Sequence, residues 1–392
     1  MLLGLDMFMR RAPFLISIFA VLVWANHGSA QSLSADCVPA QEQLKSAELA
    51  ASQENWLMAS DRYKAAVQSA PSCVEAAVNL GVTYNRLNQP DEAIRVFKDA
   101  LAKNPQLFAA HLNLGITYFR TARYDLAKDS LRNALRINSE HTQARQLLAL
   151  SLIARDEFKE AASELEQLIR LTPADAGTHI ALGKMYLRLK QHSDAVSSFE
   201  KALQLEPKVA KTHLLLGEAL DNAGQADRAI EELLRATQLD PSLPEAHYAL
   251  GHAFLKKGSL DEALLEFQKE LQHNPEMVLA RYQVGKIYLQ RDKIEEAISE
   301  LSRVVEAEQT FRPAIETLAQ ARLKQGSFEE AVKLLERVVA LDPTWPNGFA
   351  LLGRAYSRVG KHDEARKAFA TAQKLSSEER KRLERAVSKP KN

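Results

Sequence analysis

The side chains in this chain best suited to chemistry are ten histidines and two cysteines. Four of the histidines, His111, His179, His213 and His247, stand at multiples of 34 residues from one another, the last three at consecutive steps. A ladder of imidazoles suggests a metal. Helices carrying such a ladder stand about 8–10 Å apart, whereas the ligands of one zinc lie about 2.0–2.1 Å from it. Parallel side chains would have to bend together across that gap, so packing or hydrogen bonding between units is the expected role. The cysteines, Cys37 and Cys73, have too few ligand neighbours in sequence for zinc. There is no Gly-rich phosphate loop, no His-Glu-x-x-His and no Gly-x-Ser-x-Gly, so neither catalysis nor a cofactor is expected.

The elements that must position these residues are set by one recurring word. Leu80-Gly81-Val82-Thr83-Tyr84 returns 34 residues later as Leu114-Gly115-Ile116-Thr117-Tyr118. Steps of 34 from Gly81 reach Gly115, Ala149, Gly183, Gly217, Gly251, Gly285, Ala319 and Gly353, and one step back reaches Ala47. Twelve residues after each comes an alanine, from Ala59 and Ala93 through to Ala331 and Ala365. Four further on comes a bulky group, among them Tyr63, Phe97, Leu131, Phe199, Phe267 and Phe369. Proline often closes the unit, as at Pro71, Pro105, Pro173, Pro207, Pro241, Pro275 and Pro343.

Each unit reads as two amphipathic helices. In the unit from Val74, the first carries Val78, Leu80, Tyr84 and Leu87; after Asn88-Gln89-Pro90 the second carries Ala93, Ile94, Phe97 and Leu101. The Gly/Ala pair suits a close helix crossing, and the bulky residue is expected to fill the groove toward the next unit. This pattern resembles the tetratricopeptide repeat. The expected fold is all-α, a right-handed superhelical solenoid of about ten tandem 34-residue helix-turn-helix repeats over residues 40–379, stable only through stacking.

Residues 1–30 lie outside the repeats. Arg10-Arg11, an apolar stretch from Ala12 to Ala25, and small residues before a cut after Ala30 predict a secretory signal peptide. The apolar run is short for a membrane span; an uncleaved anchor is the alternative, and membrane contact is expected only in that case. A lipoprotein signal at Cys37 does not fit the preceding Ser34-Ala35-Asp36. Residues 31–39 form a lead-in, and 376–392 a basic capping helix and tail, with Ser376 and Glu379 as a capping box. Export gives the cysteines their meaning. Cys37 precedes the first helix of unit one and Cys73 follows its second, so antiparallel helices set them side by side, and a disulfide is expected.

Charge excludes little. The chain has 51 basic and 50 acidic residues; losing Arg10, Arg11 and Asp6 with the signal leaves 49 of each, and no basic field argues for nucleic acid. The repeats leave no room for a second domain. The resemblance implies that the first helices line a binding groove. Its places here are Val78, Val82, Leu112, Ile116, Phe119, Leu150 and Ile153 as an apolar floor, with Tyr248 and Tyr282 later. Arg86, Arg120, Lys184, Arg188, Lys256, Lys286, Lys324, Arg354 and Arg358 form a cationic edge. The carboxylate clamp of chaperone-binding members is absent: Leu44/Glu48, Val78/Val82 and Leu112/Ile116 occupy its places. The expected function is a non-catalytic protein–protein interaction scaffold, exported to the bacterial periplasm or cell envelope, binding peptide segments. An accessory or regulatory subunit of an envelope export, polysaccharide or glycosyltransferase complex is the alternative.

Overall fold

A computed structural model describes residues 34–387, with side chains as far as Lys381. The expected signal peptide, 1–30, and the end of the basic tail, 388–392, lie outside the described residues. Two compact units result, one up to Pro207 and one from Lys208. Among the described residues the regular structure is helical throughout, with no strand.

The first unit opens with a 3-10 turn, Ala35–Ala40, followed by five helix pairs: α1 (Gln41–Ser52) with α2 (Trp56–Ser69), α3 (Val74–Arg86) with α4 (Pro90–Lys103), α5 (Phe108–Arg120) with α6 (Tyr124–Ile137), α7 (Thr142–Ala154) with α8 (Phe158–Leu171), and α9 (Ala176–Arg188) with α10 (His192–Leu205). The second unit repeats the arrangement: α11 (Ala210–Asn222) with α12 (Ala226–Leu239), α13 (Ala246–Lys257) with α14 (Leu260–His273), α15 (Val278–Gln290) with α16 (Ile294–Ala307), α17 (Arg312–Gln325) with α18 (Phe328–Leu341), and α19 (Pro346–Arg358) with α20 (His362–Val387). Within each unit consecutive helices pack on one another, and first helices of successive repeats touch, as α3 with α5 and α15 with α17. This is the packing of a tetratricopeptide solenoid.

The turn inside each repeat is built on one residue with left-handed backbone. In the first unit these are Glu54, Asn88, Ala122, Asp156 and Lys190; in the second Gly224, Gly258, Asp292, Gly326 and Gly360. Each sits just past the end of a first helix, where a left-handed residue lets the chain reverse and satisfies the last carbonyls. Lys190 holds φ 59 with a side chain attached, a conformation that costs an L-residue roughly 1–2 kcal/mol.

The small-residue column explains itself in space. A Cβ on Gly81 would lie 2.4 Å from Phe97 Cε1, and one on Gly115 2.7 Å from Leu131 Cγ. The bulky residue thus packs first across the glycine of its own repeat, not simply into the groove toward the next. The next repeat then covers its other side. Phe97 and Phe267 are 0% exposed, whereas Phe369 in the last repeat is 40% exposed.

The C-terminal end departs from expectation. No helix starts at Ser376; α20 runs unbroken from His362 to Val387. Seven of the other nine repeats place a proline just past their second helix, as at Asn104-Pro105 and Asp240-Pro241, but here Ser376-Ser377 contains no proline to remove a hydrogen bond, and the Ser377 hydroxyl bonds Lys374 O within the helix. Among the described residues nothing closes over Phe369, which stays 40% exposed. The end is instead made polar by exposed Arg366 and Gln373, where the preceding repeat has Val332 and Val339. Among the described residues no helix is long and apolar enough to cross a membrane.

Candidate partner-binding groove

In the first unit the expected apolar floor is interior. Val78, Val82 and Leu112 are 0% exposed, and Ile116 and Phe119 are 8% exposed. The cause is the contact between successive first helices, α3 with α5 and α5 with α7: side chains on that seam fill it. Phe119 meets Tyr124 edge-on at 5.7 Å. Leu150 and Ile153 are half-buried. The first five are core, and a partner could not reach them without displacing a repeat. The seam also has a polar rung, Asn85 Nδ2 donating to Thr117 Oγ1 at 2.7 Å.

The cations of this unit are on the surface but engaged. Arg86 lies over the Trp56 ring at 5.6 Å. Arg120 Nη1 reaches Asn85 O at 3.5 Å. Arg188 stacks on Phe158 at 4.8 Å, with Asp156 at 4.0 Å. Lys184 is half-buried. Their stems and planar heads cover aromatic faces as much as they offer charge.

The second unit carries a cleft of about 560 Å³ that opens across the first helices α15, α17 and α19. Its walls are Lys286, Leu289, Gln290, Thr317, Gln320, Leu323, Lys324, Leu351 and Arg354. Three leucines from three successive repeats supply the apolar surface, three cations rim it, and no acidic side chain lines it. Lys286 stands over the Tyr282 ring at 5.5 Å; Lys324 is paired with Asp292 at 2.7 Å. Arg354 is exposed and makes no ion pair among the described residues. Tyr282 packs edge-on against Phe311 at 5.2 Å, and Tyr248 lies tilted against Phe267 at 5.6 Å. Burial pushes both phenols up, so they stay neutral hydrogen-bonding groups. Tyr248 is not on the cleft wall. Of the residues singled out from sequence, Lys286, Lys324 and Arg354 lie on it; Leu289, Gln290, Thr317, Gln320, Leu323 and Leu351 were missed. The available signal was the 34-residue spacing of Leu255, Leu289 and Leu323, each next to a basic or amide residue.

The histidine ladder is a set of braces. His111 Nε2 lies 3.0 Å from Pro105 O, and His179 Nε2 3.2 Å from Pro173 O. His213 Nδ1 lies 2.7 Å from Glu232 Oε2. His247 does both, with Nδ1 2.6 Å from Glu266 Oε2 and Nε2 3.2 Å from Pro241 O. At the same place in its own repeat, Arg281 reaches Glu300 at 2.7 Å and Pro275 O at 2.6 Å. The repeat therefore uses this place to tie its first helix to its second and to the loop before it.

Cys37 and Cys73 are joined in a disulfide with Cα atoms 4.7 Å apart. It clips the entry turn to the start of α3. The Glu75 carboxylate lies against it, Oε2 being 3.1 Å from Cys37 Sγ.

Comparison with known proteins places the chain. The family described as the cilia and flagella-associated protein 70 C-terminal domain, a tetratricopeptide family, matches residues 24–247, more than half of the chain. The tetratricopeptide repeat family matches 254–323 and 322–386. No curated protein matches. Solved structures similar to it include one called MamA, 23% identical, TM-score 0.41, covering 42% of this chain and 97% of that one. MamA from Desulfovibrio magneticus RS-1 is 24% identical, TM-score 0.42, covering 43% and 96%. YrrB, described as a TPR protein with an unusual peptide-binding site, is 22% identical, TM-score 0.43, covering 47% and 95%. These likenesses concern fold. The chain belongs to the tetratricopeptide repeat family.

Proposed function

We propose that this chain is a non-catalytic scaffold that binds a protein or peptide segment, and that the cleft across α15, α17 and α19 is where it does so. The observation that carries this reading is that cleft: leucines from three repeats ringed by Lys286, Lys324 and Arg354, with no acid among its walls. Such a surface suits an extended or helical segment with aliphatic anchors and acidic residues beside them. Extended faces of stacked first helices are how solenoids of this kind act. The partner is proposed to lie in a bacterial periplasm or cell envelope, the location that the signal peptide expected at residues 1–30 would give, and an oxidising compartment suits the Cys37–Cys73 pair. Service as an accessory subunit of an envelope export or polysaccharide complex is the narrower form of the same reading.

The test is a pull-down from envelope extract with the chain from residue 31, compared with its Lys286→Glu/Arg354→Glu variant. Both positions leave the core untouched, so helical circular dichroism is expected to be unchanged. A partner recovered by the wild type and lost by the variant supports the cleft. Equal recovery by both sinks it. Export is tested separately: a mature chain beginning at Gln31 in the periplasmic fraction supports it, and an intact N-terminus in the cytosol overturns it.

A further inference from the structure

Glu75 stands in an arrangement that the disulfide alone does not explain. Its Oε2 lies 3.1 Å from Cys37 Sγ and 3.8 Å from Cys73 Sγ. Sulfurs joined to each other have no hydrogen to give, so this carboxylate faces two atoms that cannot satisfy it. It has no ion pair among the described residues, although it is half-buried. Thiols would donate to it, and a cation would bind it.

We propose that Cys37, Cys73 and Glu75 form a redox-gated site for a thiophilic divalent cation of the zinc class, closed as a disulfide when oxidised and open as a ligand set when reduced. The three ligand atoms already lie within 4.8 Å of one another. Thiolates about 2.3 Å and a carboxylate about 2.0–2.2 Å from one zinc fit that span after small side-chain rotations. Cys37 belongs to the short entry turn Ala35–Ala40, Cys73 caps α3, and Glu75 is in the first turn of α3. The set therefore comes from two segments that can part slightly, not from one rigid helix.

The chemistry balances in two steps. A dithiol reductant supplies two electrons and two protons; the S–S bond breaks, two S–H bonds form, and the reductant leaves as its own disulfide. The cation then displaces both thiol protons to solvent, forming two metal–sulfur bonds and one metal–oxygen bond. Two thiolates and one carboxylate around a divalent ion leave one negative charge and a fourth position for water. Either state holds the entry turn to α3, one by a covalent bond and the other by coordination.

The experiment uses the full chain and Co²⁺ as the probe, followed by Zn²⁺ displacement. Reduced protein, freed of reductant under anaerobic conditions, is expected to take up one Co²⁺ with a thiolate-to-cobalt charge-transfer band that Zn²⁺ abolishes. The oxidised chain is the folded control and is expected to show no band. Glu75→Gln is expected to weaken uptake by about tenfold or more, in the range that ligand-shell changes produce. Cys37→Ser/Cys73→Ser is expected to abolish it. Absence of the band in the reduced wild type, the band surviving in the double serine variant, or unchanged affinity in Glu75→Gln would each overturn the assignment.

Discussion

Consider Gly81→Ala, a change that adds one methyl group to the interior of α3. A Cβ there would stand 2.4, 2.7 and 2.8 Å from Cε1, Cζ and Cδ1 of Phe97. Carbon atoms prefer about 3.5–4.0 Å, so the ring must retreat by roughly an ångström. It has nowhere to go: Phe97 is 0% exposed and covered by the following repeat. Overpacking of this kind costs about 1–3 kcal/mol. Against it runs the intrinsic gain of Ala over Gly within a helix, about 0.8–1.0 kcal/mol. The expected net effect is destabilisation of up to about 2 kcal/mol, opposite in sign to what propensity alone predicts. The chain itself contains the remedy, since Ala149 faces Leu165 and Ala319 faces Leu335 at the same two places. Gly81→Ala/Phe97→Leu should therefore recover stability relative to the sum of its two single changes, with a coupling of about 0.5–3 kcal/mol. Urea unfolding followed by far-ultraviolet circular dichroism measures all four corners of the cycle, with midpoints compared because repeat arrays need not unfold in one step. A Gly81→Ala variant more stable by the full propensity gain, or a double variant no better than additive, would refute the packing argument.

Three other perturbations follow from the structure. Lys190→Gly removes a side chain from a residue at φ 59 and should stabilise by about 0.5–1 kcal/mol after the entropy cost of glycine; a lower melting temperature would contradict it. His141 Nδ1 accepts from Ala144 N–H at 3.2 Å, and burial holds that imidazole below its ordinary range. The unfolded chain then takes the proton first, so the cap's contribution is present above about pH 6.5 and is lost as pH falls. His141→Asn keeps an acceptor that does not titrate, and its stability should fall less between pH 7 and 5; equal slopes would sink the idea. Ser377→Pro should end α20 where the other second helices end, seen as fast amide exchange beyond residue 377, and retained protection would count against the account of why that helix continues.

What the sequence determined by itself was the repeat and its pairing of helices, because burial of one helical face leaves a period that residue types record directly. Gly81, Ala93 and Phe97 show it: each is where contact forces its size, and the same forcing recurs at every step of 34. Which apolar residues face a partner was decided only by tertiary structure. Val78 and Val82 look the same in sequence whether they line a groove or a seam, and the contact between α3 and α5 put them in the seam. In the second unit the place of Val82 holds Lys286 and Arg354, whose charge keeps them at the surface, and three leucines around them make the cleft. Glu75 became visible only once the entry turn lay against α3, since it is remote from Cys37 along the chain and 3.1 Å from it in space. Local patterns carry information about what a side chain must avoid; which neighbour it meets is a property of the packed chain.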